Sequence, residues 1–451
     1  MGRSRLPCPR ARHRPMPMCP DSAIDRVSTP YDLLTSAQVE RLRADADRIL
    51  DEIGLEVREH PDALERFAAA GARIDGTRVR FEPGLARALV QHSAPPRFTQ
   101  RARNPVNDVV FGGHGTVTAP AAGPPMVRGR DGIRRYARLE DFRDFARLTQ
   151  ASDAIDHAGA MYCEPTDCDA AVRHLRSLEA ALRLTDKPVM GYGRDSDQVT
   201  DSIDAMRAVF GEATMANECC LLTMANIEAP LVLTGTTAEA LMRTSAAGQA
   251  VLVASYPVLG MTAPVTVGTA LAQMLAEVQA GAALTQLVRP GAPVMVGMSG
   301  AVFSMRAMRP EFGGVEGLFL MSAGAQLARD LGCPVRGDGA VTSSKLPDAQ
   351  ASGDATRGLA CAHAANVDFA LHSAGWLEAG LVMSLERFAH DVDSIAAVRA
   401  QGLNAPTPEP GRGWEALMAE WREPPMDSST AQTLADFIGE RTRRRLREAA
   451  T

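Results

Sequence analysis

Two hydrophobic rhythms alternate along this chain. Between residues 116 and 372, short apolar runs recur: Thr116–Ala119, Ala158–Cys163, Pro188–Tyr192, Cys219–Met224, Ala250–Tyr256, Pro293–Met298, Pro334–Asp338 and Val367–His372. Several are apolar without alternation, the pattern of strands covered on both faces. Between them lie longer segments with helical spacing or good helix propensity: Leu139–Thr149, Ala171–Leu184, Asp197–Val209, Thr236–Gly248, Gly268–Leu287, Gly314–Leu331 and Ala355–Ala365. Eight strands separated by helices predict an α/β fold, a (β/α)8 TIM barrel.

The flanks read differently. Ser36–Ile53 carries apolar residues at helical spacing (Val39, Leu42, Ala46, Ile49, Leu50, Ile53), with Thr35 or Ser36 able to cap its start. His60–Ala70 and Pro83–His92 also read as helices, with a small hairpin or extended piece at Asp75–Arg80. The expected organisation is a disordered basic segment over 1–30, a helical region over 31–110 packed on the barrel, the barrel over 111–400, and a helical tail over 401–451. The tail's last helix, GERTRRRLREAA, reads as a solvated surface element.

Composition narrows the class. The chain has 451 residues, 45% hydrophobic and 23% charged, which is ample for a large buried core. A net charge of −6 argues against a nucleic-acid partner. Eight cysteines without a CxxC motif point to reduced thiols and a cytoplasmic setting. Thr244–Ala276 contains no charge, yet Pro257, Gly260 and Pro264 interrupt it, so it reads as buried barrel and no membrane association is expected. Cys163 and Cys168 lack a matching second pair, so no structural metal is expected.

Candidate chemistry concentrates at the carboxyl ends of the strands, where α/β barrels place their sites. The last two runs and the loop between them supply Arg336, Asp338, Lys345, Asp348, Gln350 and His372. Other strand ends offer Glu164, Asn226 and Tyr256, with Tyr162 and Tyr192 as further aromatics. Asp338 can face a trialkylammonium group. Lys345 can pair with a carboxylate or, if desolvated, form a Schiff base. The structural alternatives are an ion pair of Lys345 with Asp348 or Asp338, and loop hydrogen bonds for Asp338. Trp376 can wall a cation site or pack in the core.

The string SSKLPDAQA at Ser343–Ala351, the preceding LGCPVRGDG and the following HSAGWLE resemble the trimethylamine methyltransferase family. Gly260–Gly281, Arg289–Gly297 and the pattern spanning Arg48–Phe98 fit it as well. Ser352-Gly353-Asp354 departs from the Gly-Tyr-Glu expected at that point. The resemblance implies transfer of a methyl group from a methylated amine to the Co(I) corrinoid of a separate small protein. No cofactor is then bound tightly by this chain, and no catalytic acid or base is needed. The site region holds only standard residues, as in the branch without pyrrolysine. That branch favours quaternary amines such as betaines, because a quaternary nitrogen leaves as a neutral tertiary amine. The substrate-binding set implied is Asp338, Lys345, Asp348, Gln350, His372, Arg336, Tyr256, Asn226 and Glu164, in a homo-oligomer. The alternatives are a lyase or aldolase using Lys345 and a non-catalytic betaine-binding barrel.

Overall fold

The computed structural model describes residues 31–450, apart from 114, 403–410 and 412. The 1–30 segment and part of the tail lie outside the described residues. Seven parallel strands form one curled sheet: β1 (Val117–Thr118), β2 (Val189–Gly191), β3 (Leu221–Ile227), β4 (Ala250–Ser255), β5 (Val294–Met298), β6 (Val335–Asp338) and β7 (Phe369–Leu371). Their order is β1-β7-β6-β5-β4-β3-β2, so β1 and β2 are the two edges.

The gap between those edges is filled by the chain around Asp156–Gly159, which runs into the strand expected at Ala158–Cys163. Here it is irregular. The amides of Asp156 and His157 both donate to the Thr118 carbonyl, Ala158 N donates to Pro188 O, and Met190 N donates to Gly159 O. Gly159 adopts a left-handed φ of 72°, which breaks the extended run. The ring therefore closes with seven regular strands and one irregular segment, the α/β barrel architecture. Eight long helices surround it: Leu139–Ala151, Arg173–Leu184, Ser196–Phe210, Gly235–Ala246, Val267–Val288, Val315–Leu331, Ala349–Ala364 and Leu385–Gly402.

Inward positions alternate along each strand. Met190, Leu222, Leu252, Met295, Phe369 and Leu371 share one buried cluster with Phe98, Val109 and Phe111. The last three come from an antiparallel hairpin, Phe98–Gln100 with Val109–Phe111, beside that cluster. Gln100 ties the hairpin in, donating to Val189 O at 2.8 Å and meeting His157 Nε2 at 3.0 Å. Burial pushes His157 down to about 3, so it stays neutral in that contact.

The uncharged stretch finds its explanation in helix Val267–Val288. Helices Ser36–Arg48, Pro61–Ala69 and Leu85–Ser93 pack on it from outside, and β4 and β5 pack on it from inside. Buried on both sides, the helix has no polar face to show. Leu55–Val57 adds to this attachment by pairing in parallel with Val232–Leu233. Among the described residues, no helix is long and apolar enough to cross a membrane.

The last helix, Ser428–Ala449, differs from the solvated element expected. Asp201, wholly buried on helix Ser196–Phe210, accepts from Arg445 Nε at 3.1 Å and Nη2 at 3.0 Å. It also pairs with Arg441 and meets His174 Nε2 at 2.8 Å. Two of the arginines in the basic run thus turn inward to a buried carboxylate, which a charge count does not reveal.

Candidate active site

Strand register sets the geometry. Asn226, Ala254, Gly297, Arg336 and Phe369 are consecutive partners across β3, β4, β5, β6 and β7, forming one layer of the ring. Small residues at 254 and 297 separate Asn226 from Arg336. Although Asn226 lies on a strand of the ring, it is exposed, and Met224 below it is half-buried. The ring is therefore open on this side at the carboxyl ends of the strands.

Two positions above Arg336, Asp338 ends β6. Arg336 Nη2 donates to Asp338 Oδ1 at 2.7 Å, and Tyr256, just beyond β4, donates its hydroxyl to Asp338 Oδ2 at 3.0 Å. Arg336 and Asp338 are 3% and 7% exposed, so the pair is screened little. The Arg336 Nε is buried without a hydrogen-bond partner. Burial, then the Asp338 charge, holds the Tyr256 phenol well above its ordinary range, so it remains a donor.

An aromatic arc runs away from this pair. The Tyr256 ring stacks on Phe312 at 6.1 Å and 25°, Phe312 meets Trp376 at 5.6 Å, and Trp376 meets His372 at 4.5 Å. His372 follows β7 with a left-handed φ of 62°. Its Nδ1 accepts from Ala122 N at 3.2 Å, which places the ring proton on Nε2. Burial, and secondarily the Arg336 charge, holds His372 well below its ordinary value, so it is neutral. One end of the arc, Tyr256, is thus bonded to the Arg336–Asp338 pair, and the other, His372, feels the Arg336 charge. The cluster carries one positive and one negative side chain and is electrically balanced.

Of the residues expected from sequence, Arg336, Asp338, Tyr256 and His372 are brought together, with Asn226 in the same layer as Arg336. The rest lie apart. Asp348 is the N-cap of helix Ala349–Ala364: it accepts from Ala351 N at 2.9 Å and Ser344 Oγ at 3.0 Å, and the Ala351 amide holds its carboxyl below the usual range. Gln350 is exposed on the first turn of that helix. Lys345 is exposed on the loop and forms no ion pair with Asp348 or Asp338 among the described residues, so the desolvated amine that imine chemistry requires is not found there. Glu164 is paired with Arg194 and, at 3.8 Å, Arg173.

Tyr162 and Tyr192 belong to the core outside the ring, beside Phe142 and His174, so one of the three strand-end tyrosines reaches the cluster. Phe312 is a member that sequence reasoning missed. It stands before Gly313-Gly314 at the entry to helix Val315–Leu331, and that position at a strand-to-helix turn was the available signal. Trp376 lines the arc while its Nε1 is satisfied by Thr342 O at 3.2 Å. Among the described residues, no group of three or more His, Cys, Asp or Glu is arranged to hold a metal ion.

The trimethylamine methyltransferase (MTTB) family profile matches residues 2–409. A glycine betaine methyltransferase from Desulfitobacterium hafniense is 37% identical over 369 residues, spanning 82% of this chain and 76% of that protein. A proline betaine:corrinoid methyltransferase from Eubacterium limosum is 27% identical, spanning 80% and 76%. A trimethylamine methyltransferase from Desulfitobacterium hafniense is 30% identical, spanning 78% and 71%. Among solved structures, the Methanosarcina barkeri monomethylamine methyltransferase covers 90% of this chain and 92% of its own, with a TM-score of 0.47 and 9% identity. The chain belongs to the trimethylamine methyltransferase (MTTB) family.

Proposed function

We propose that this protein moves one methyl group from a quaternary-ammonium carboxylic acid, a betaine, to the Co(I) corrinoid of a partner protein. The observation that carries this reading is the balanced Arg336–Asp338 pair flanked by an aromatic arc. Aromatic faces attract a quaternary ammonium by their quadrupole, and Asp338 adds a negative charge on the same side. A simple cation would bring an uncompensated charge into this neutral cluster. A zwitterion brings none, and its carboxylate finds Arg336 and the His372 Nε2 proton close by. The family membership and the relatives named for betaines support the same class.

The chemistry asks little of acid or base groups. The C–N bond breaks with its electron pair retained by nitrogen, releasing a neutral tertiary amine. The cobalt lone pair forms the new Co–C bond. No proton moves, so the residues' task is to bind, orient and keep water from the ammonium. Neutral His372 and the protonated Tyr256 suit that role. The six cysteines described are all free thiols, compatible with a reducing cytoplasm in which a Co(I) centre survives.

The test is methyl transfer to chemically reduced cobalamin, followed by the appearance of methylcobalamin. Betaines should react and trimethylamine should not. Transfer from the tertiary amine, with none from any betaine, would refute the reading.

A further inference from the structure

Behind the aromatic arc lies a buried relay that makes no contact with Arg336, Asp338, Tyr256 or His372 among the described hydrogen bonds. Asp354, 6% exposed on helix Ala349–Ala364, accepts from Thr342 Oγ1 at 2.6 Å. Arg357 pairs with the other carboxylate oxygen. Thr342 is wholly buried, and its hydroxyl also accepts from Ser344 N at 3.0 Å. The Thr342 carbonyl then receives the indole Nε1 of Trp376 at 3.2 Å and the Ala379 amide at 3.1 Å.

The same residue packs against the segment that carries the neighbouring ring. A Cβ placed on Gly313 would lie 3.0 Å from Asp354 Cβ and 2.9 Å from Val341 O, so the chain bearing Phe312 passes directly over Asp354. Phe312 N donates to Ser343 Oγ at 2.9 Å, one residue along from Thr342. Trp376 is therefore tied to Asp354 through Thr342, and the segment bearing Phe312 packs on Asp354 through Gly313. A charged carboxylate in a buried position is expensive unless its bonds are made, so its geometry is held tightly.

We infer that Asp354, acting through Thr342, is the positioning residue that orients Trp376 against Phe312 and so sets how well the arc fits an ammonium head group. This rests on the functional reading above. Asp354 occupies the Ser352-Gly353-Asp354 triplet, and Glu at that position would lengthen by one methylene the side chain that holds the Thr342 hydroxyl.

The full-length protein labelled with 5-fluorotryptophan carries three tryptophans, and the Trp376 resonance is assigned by its loss in Trp376→Phe. Thr342→Val, which removes the hydroxyl at nearly constant volume, should shift that resonance without ligand. It should also raise KM for a betaine by about fivefold, the scale of one lost hydrogen bond, while kcat changes less than twofold. Thr342→Ser should restore both, and Asp354→Glu should shift the resonance again. An unmoved Trp376 resonance in Thr342→Val, in protein that remains folded, would overturn the inference. So would a loss of kcat at unchanged KM. If the resonance moves as expected but the wild type turns over no betaine, the functional reading fails and the relay stands.

Discussion

Tyr256 and Asp338 meet at 3.0 Å although they are 82 positions apart and stand at the ends of strands separated by β5. The layer beneath them carries small residues, Ala254 and Gly297, on the two central strands. A tyrosine and an aspartate at the ends of non-adjacent strands share one hydrogen bond above that layer. Asp338 has two donors, and each can be removed separately.

Removing the phenol tests the first. Tyr256→Phe keeps the ring stacked on Phe312 and deletes only the donor. Betaine KM should rise several-fold, consistent with about 1 kcal/mol for one hydrogen bond. Tyr256→Ala should be far worse, because the arc loses a face. Steady-state KM for the two variants decides it, and equal losses would show that the ring carries nothing.

Removing the guanidinium tests charge balance. Arg336→Met leaves Asp338 as a buried carboxylate with one donor, which should lower stability by about 3–5 kcal/mol. In the protein that remains folded, the site is net negative, so affinity should swing from betaine toward tetramethylammonium. The double variant Arg336→Met/Asp338→Asn is neutral again and should lose that swing. Calorimetric titration with both ligands measures the ratio.

The titration behaviour of the cluster yields a third expectation. Burial and the Arg336 charge hold His372 well below its ordinary value, and Tyr256 lies well above its own. Neither changes charge between about pH 6 and pH 9, given ordinary values near 6.5 and 10. With no proton in the chemistry, kcat/KM on reduced cobalamin should be flat across that range. A bell-shaped profile would indicate a titrating group that this geometry does not contain.

The C-terminal helix offers a stability prediction away from the site. Burial raises Asp201, but the bonds from His174 and Arg445 and the charges of Arg445 and Arg441 outweigh it, holding the carboxyl at about 2 against 3.8 when free. A lowered carboxylate binds fewer protons folded than unfolded, so its stabilisation is complete above about pH 4 and fades as pH falls toward 2. Asp201→Asn should remove it at neutral pH and lower stability by about 3 kcal/mol. Limited proteolysis should then release Ser428–Ala449 first, with the barrel intact, and thermal melts should show the pH dependence weakened.

Much of the fold was legible in the sequence. Seven of the eight expected apolar runs overlap the observed strands, because strands covered on both faces must be apolar wherever they sit. The eighth, Ala158–Cys163, was misread as regular: apolar content reports burial, whereas hydrogen-bond regularity depends on backbone angles such as that of Gly159. The short pairs at 98–111 and 301–311 were also invisible, since strands of three or four residues carry too little pattern to separate from loops.

The chain alone therefore determined where most of the strands lie and which chemistry-bearing residues stand near their ends, since these follow from local periodicity. Only the tertiary structure decided that Arg336, Asp338, Tyr256 and His372 converge with Phe312 and Trp376, and that Asp348 caps a helix while Lys345 faces solvent. Convergence depends on register between strands and on which way each loop turns, and both are set by pairing partners far away in sequence. A residue's own neighbours in the chain do not encode them.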